Sequence, residues 1–97
     1  MLFALINTDR PASLDLRMAT RPAHLAYLES RTAEIVSAGA LLDAEGKPTG
    51  SLLVIEAADR AGAEAFAAAD PYTLAGLFEG TVVRPFRQVF KDGAKVG

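Results

Sequence analysis

Two side chains in this sequence have the types and the settings that proton chemistry needs. They are His24, within Arg21-Pro22-Ala23-His24, and Asp70, within Ala69-Asp70-Pro71-Tyr72. His24 is the only histidine. Imidazole titrates closest to neutral pH of the ordinary side chains, which suits it to general acid or base work. A carboxylate beside it fixes the ring tautomer and supports the cation. Each residue also has a purely structural reading. Asp-Pro is how a helix begins, with Asp as N-cap and Pro at the first helical position. A histidine at the edge of an apolar helix face is often an ordinary boundary residue. The two readings are compatible, because one carboxylate oxygen can cap a backbone N–H while the other meets the imidazole.

Arg21 falls near the middle of the apolar face of the helix that carries His24, at its open end. A cation there either holds an anionic group or snorkels to solvent. Tyr72 offers a phenolic donor, or packs as a boundary aromatic. Ser51 lies in a strand with no histidine close in sequence, so a serine-nucleophile triad has no support. One histidine without cysteine does not make a standard zinc site within one chain. No GxGxxG, P-loop or G-x-S-x-G motif occurs. With neither a strong nucleophile nor an electron carrier, the pair suits cofactor-independent proton transfer, and no cofactor is expected.

The elements that must position these residues fit in one domain, since 97 residues are too few for two. The absence of cysteine excludes disulfides. A net charge of -2, with both signs scattered, argues against nucleic acid and anionic membrane as partners. The apolar run after Met1 lacks a basic leader and a cleavage site, and reads as a strand and not a signal peptide. No run is long enough to span a bilayer. A cytoplasmic location is expected.

Leu2 to Thr8 reads as strand one, ended by the turn signal Asn7-Thr8-Asp9. Arg10 to Ala19 reads as a loop with a helical turn near Leu14 to Arg17. Helix one is expected from Arg21-Pro22, with Pro in its first turn and His24 close to the positive end of the dipole. Leu25, Leu28, Thr32, Ile35 and Val36 form its apolar face, and Gly39 its C′ residue. Ala40 to Leu42 is a short strand, Asp43 to Pro48 a hairpin loop, and Thr49 to Ala57 strand three. Asp59 caps helix two, Arg60 to Ala69. A helical turn, Thr73 to Leu77, leads to strand four, Glu79 to Phe90, where Pro85 marks an edge strand. Lys91 to Gly97 reads as a polar, frayed tail after a single domain over residues 1–90.

The order β-α-β-β-α-β predicts an α+β, ferredoxin-like fold, a four-stranded antiparallel sheet with both helices on one face. Strands one and three are then central, yet Leu2 to Ile6 and Leu52 to Ile55 are apolar on both faces. Two helices cover one face only. The other face calls for a second copy, so a homodimer through the helix-free sheet face is expected.

Several segments together carry a resemblance. They are Arg17 with Arg21-Pro22-Ala23-His24-Leu25, Gly50-Ser51 opening strand three, Ala67 to Tyr72, and Val83 to Phe90. On these the chain, from Met1 to about Phe90, resembles the YciI-like (YCII-related) family. The resemblance implies a dimeric α+β barrel of ferredoxin-like subunits. It also implies a candidate active site on a His-Asp pair, which by motif falls on His24 and Asp70. Ser51 joins Arg21 and Tyr72 as a candidate substrate contact. Some members of the family are linked to the breakdown of substituted aromatic compounds. The leading expectation is therefore an enzyme in which His24 and Asp70 drive elimination or isomerisation of a small aromatic or enol-like molecule. A non-catalytic ligand-binding or sensing dimer with the same pocket is the alternative, and a module whose His-Asp pair only braces the fold is the third.

Overall fold

The chain, described over residues 1–97 by a computed structural model, begins with β1 (Leu2–Asp9) and α1 (Leu14–Glu29). A 3₁₀ turn (Thr32–Glu34), β2 (Ile35–Leu42) and β3 (Pro48–Glu56) follow. Then come α2 (Arg60–Ala69), α3 (Pro71–Leu74) and β4 (Phe78–Phe86), and a small hairpin of β5 (Phe90–Lys91) and β6 (Ala94–Lys95) ends the chain. Strands β1 to β4 form one antiparallel sheet in the order β2-β3-β1-β4. This is the ferredoxin-like arrangement expected, with β1 and β3 central and the helices on one face.

Strand alternation decides what that face seals. Phe3 lies opposite Ile55 and Leu5 opposite Leu53. All four point to the helices and close a core with Ala63 and Phe66 of α2, each at most 2% exposed. Burying side chains of this size contributes about 1.5–3 kcal/mol each. The neighbouring positions point the other way. Ile6 pairs with Leu52 on one side and Val82 on the other, a row across three strands that is 38–49% exposed. The helix-free face is thus apolar and open, as the unbroken strand patterns require. Gly50 lets β3 lie close against β1, since a Cβ there would stand 2.4 Å from the Asn7 carbonyl oxygen.

Helix one differs from expectation at both ends. It begins at Leu14, so Pro22 lies in its interior and not at its start. A mid-helix proline frees one carbonyl of the preceding turn, here that of Met18. Both residues are solvent-exposed, so water can take the freed carbonyl and the helix continues. It stops at Glu29, where the Ser30 backbone N–H donates to the carbonyls of Ala26 and Tyr27, and the Ser30 hydroxyl to that of Tyr27 at 2.6 Å. The β-branched pair Ile35-Val36 then opens β2, and Gly39 lies within that strand instead of capping a helix.

The C-terminal stretch is also not a frayed tail. Strand β4 ends at Phe86, and β5 and β6 turn over Asp92-Gly93 with φ of +52° and +77°. Positive φ at both central residues makes the hairpin turn whose twist matches its strands. Pro85 sits in β4 as expected, on a strand that pairs only with β1. Asp59 caps α2 through the Gly62 N–H at 2.8 Å. No helix is long and apolar enough to cross a membrane.

Candidate active site

One stripe of α1 builds the site. Arg17, Arg21, His24, Leu25 and Leu28 recur at the spacing of a single helix face, and all line one cavity. Opposite them, Ala38 pairs with Leu53 and Ala40 with Ser51, so small residues on β2 leave space above the sheet. Tyr72 of α3 supplies a further wall. The cavity holds about 210 Å³. An apolar void of about 150 Å³ accepts benzene, so this space suits one substituted ring and not a nucleotide. A wider groove of about 380 Å³ between α2 and β4 contains none of these residues.

His24 Nδ1 lies 2.8 Å from Asp70 Oδ1, and both side chains are buried. The same oxygen accepts the Tyr72 backbone N–H at 2.9 Å and so caps α3. Capping and imidazole contact therefore share one oxygen, not one each as the sequence suggested. A carboxylate only accepts, so it places the proton of a neutral ring on Nδ1 and leaves Nε2 as a free lone pair. His24 stands in the second half of α1, not in its first turn. The expected influence of the positive helix end on the ring therefore does not apply.

Tyr72 is 1% exposed and stacks on His24, with ring centroids 4.0 Å apart at 18°. Phe78 meets its edge at 5.9 Å. Burial pushes the Tyr72 phenol up, against the lowering charges of Arg17 and Arg21, so it remains a donor at neutral pH. Arg21 stands exposed at the cavity edge. Ser51 is buried in the wall and accepts from Arg17 Nη2 at 3.3 Å. Of the five residues expected from sequence, four line the cavity, and Asp70 stands behind His24.

Arg17 and Asp9 are the additions. Arg17 Nε donates to Asp9 Oδ2 at 2.7 Å and Nη2 to Oδ1 at 3.0 Å, a two-point pair with both side chains buried. The guanidinium carbon lies 4.7 Å from the Tyr72 ring centroid. Burial lowers the Arg17 pKa, but the hydrogen bond and charge of Asp9 outweigh it and the net shift is upward. Starting the helix at Arg21 kept Arg17, already named among the residues that carry the resemblance, off the site face, although its spacing to Arg21 and His24 was the available signal. Asp9 reads locally as a turn residue and gave none. No group of three or more histidine, cysteine or acidic side chains gathers where a metal could be held.

The chain thus has a ferredoxin-like sheet, a cavity of about 210 Å³ and an imidazole held by a buried carboxylate in its wall, on an α+β frame. The chain belongs to the YCII-related family, whose domain model matches residues 1–87. Protein YciI of Escherichia coli O6:H1 is 36% identical over 98 residues, covering 93% of this chain and all of that protein. Among solved structures, 5-chloro-2-hydroxyhydroquinone dehydrochlorinase (TftG) from Burkholderia phenoliruptrix AC1100, in complex with 2,5-dihydroxybenzoquinone, superposes with a TM-score of 0.85. The two are 40% identical, over 90% of this chain and 94% of that one. An antibiotic biosynthesis monooxygenase shares the fold alone, with a TM-score of 0.54 and 16% identity over 92% of this chain and 99% of that one.

Proposed function

We propose that this chain is a cofactor-independent enzyme that moves protons on a small oxygenated ring, eliminating a leaving group or isomerising the ring. The observation that carries this reading is the buried Asp70 carboxylate 2.8 Å from His24 Nδ1, which leaves Nε2 as the base at the cavity. The dehydrochlorinase named above, with its bound dihydroxybenzoquinone, supports a hydroxylated ring as the substrate class.

For a dihydroxylated ring carrying a halogen, the steps balance without an oxidant. His24 takes a hydroxyl proton, and the proton is returned to the ring carbon that bears the halogen, giving a ketone tautomer. Loss of the second hydroxyl proton then drives electrons through the ring and expels halide, leaving a quinone. The net change is loss of one hydrogen halide. Tyr72 donates to a ring oxygen, Arg21 holds negative charge at the mouth, and Ser51 contacts the ring's edge. A positioned acid-base group is worth about 10²–10⁴-fold, enough for such an activated carbon acid. Two copies pack through the helix-free sheet face, which covers the row Leu52, Ile6 and Val82.

The test follows halide release and quinone absorbance from a chlorinated hydroxyhydroquinone, with affinity for 2,5-dihydroxybenzoquinone measured in parallel. The reading expects turnover by the native protein, and loss of turnover with binding retained in His24→Asn. Binding without turnover in both proteins would make this a ligand-binding dimer instead.

A further inference from the structure

Arg17 is 4% exposed, yet its guanidinium is only partly used by the protein. Nε and Nη2 serve Asp9 and Ser51, while Nη1 makes no hydrogen bond as short as these and has only the neutral Tyr72 phenol beside the guanidinium. Every fully enclosed side-chain nitrogen and oxygen in the molecule has a partner, so Nη1 is not enclosed. The open space beside Arg17 is the His24 cavity. A guanidinium already neutralised by a carboxylate, and held at two points, keeps donors whose direction is fixed in advance. Away from bulk water such donors favour an anionic acceptor over a neutral one. Arg17 and His24 lie two turns apart on α1, about 10 Å along its axis, and both pack on the Tyr72 ring. One ring-sized ligand beside Tyr72 reaches both.

Building on the acid-base reading of His24, we propose that Arg17 is a binding residue for an ionised oxygen of the substrate. Nη1 is the donor, and Asp9 is the positioning residue that aims it. The site then selects rings bearing two oxygens, one presented to His24 and the other bound as an anion by Arg17. Arg21, exposed at the rim, adds charge without direction. The pairing with Asp9 keeps Arg17 from folding back over the empty cavity.

Two probes separate the idea from a structural ion pair. 2,5-Dihydroxybenzoquinone is ionised at neutral pH, whereas 1,4-hydroquinone is neutral there. The native protein should prefer the anion, and the double variant Asp9→Asn/Arg17→Gln should lower that preference by about tenfold or more. Arg17→Lys, which keeps charge and pairing but not the fork, should fall between, and His24→Asn should keep the preference. An unchanged ratio in the Arg17 variants overturns this proposal, and leaves the proposed function standing if His24→Asn still abolishes turnover. Failure of the native protein to bind either probe overturns both. Should the double variant not fold, guanidinium NMR of the native protein decides. Arg17 Nη signals must shift with the anionic probe and not with the neutral one, and no shift overturns the proposal.

Discussion

Replacing Asp70 by Asn changes charge while nearly preserving shape, and it separates the two tasks of one oxygen. Oδ1 accepts the Tyr72 N–H at 2.9 Å and faces His24 Nδ1 at 2.8 Å, in a residue 3% exposed. Asn is as good an N-cap as Asp, so the cap on α3 persists. What is lost is the charge assistance of the histidine bond, about 1 kcal/mol. For a domain of this size that lowers Tm by about 4–8 °C. The effect on activity is larger in kind. With the amide oxygen kept on the Tyr72 N–H, the ring keeps its Nδ1 proton but loses the carboxylate charge that supports the imidazolium formed when Nε2 takes a proton. Much of the acid-base share of the rate, about 10²–10⁴-fold in kcat, is then lost. Thermal melts and turnover are measured on the same preparation, and nitrogen-15 NMR identifies which ring nitrogen carries the proton. The native ring should be the Nδ1–H tautomer. A kcat within about twofold of native would refute the reasoning and leave Asp70 as a cap alone.

Four further outcomes are expected. Ala40→Leu fills the space between α1 and β3, and should weaken 2,5-dihydroxybenzoquinone binding by about tenfold or more, at least 1.4 kcal/mol, with little change in the melt; calorimetry reads the first and circular dichroism the second. Leu52→Asp places a charge on the open sheet face and should give a folded 10.2 kDa monomer in light scattering; a native protein already monomeric at micromolar concentration contradicts the dimer. Ile55→Asp, on the other face at 0% exposure, should not fold, because it buries an unpaired charge. Burial raises the phenols of Tyr27 and Tyr72 above 10.0, only partly offset by nearby arginines. The folded chain then keeps protons that the unfolded chain releases, so stability is full below pH 10.0 and falls as pH rises beyond it. Denaturant midpoints on either side of that pH should show this, with a shallower fall in Tyr72→Phe.

The topology was legible because strand signals are local. Leu2 to Ile6 and Leu52 to Ile55 are short apolar runs between turn residues, and their two-sided apolarity by itself points to the open face. His24, Asp70 and Tyr72 could each be named from their local pattern, but every one also had a structural reading, and the pairing of His24 with Asp70 came from the resemblance to the YCII-related family. Helix one was misplaced because Pro22 looks like a helix start. Interior proline is tolerated there only because its side of α1 faces water, a tertiary fact. That error left Arg17, one turn before Arg21 on the same face, as a motif residue with no place in the site. Asp9 was not readable at all. It becomes a partner only when the end of β1 meets the first turn of α1, and nothing local announces a carboxylate that will be buried against an arginine.

Hydrogen exchange on the substrate ring tests the central claim most directly, since it needs no leaving group and reports proton transfer itself. Hydroxyhydroquinone is incubated in deuterated buffer with the native protein or with His24→Asn, and ring deuterium is followed by NMR and mass spectrometry. If His24, oriented by Asp70, is the base, the native protein incorporates deuterium faster than buffer and His24→Asn does not. Equal incorporation by the two proteins above the buffer rate would contradict it.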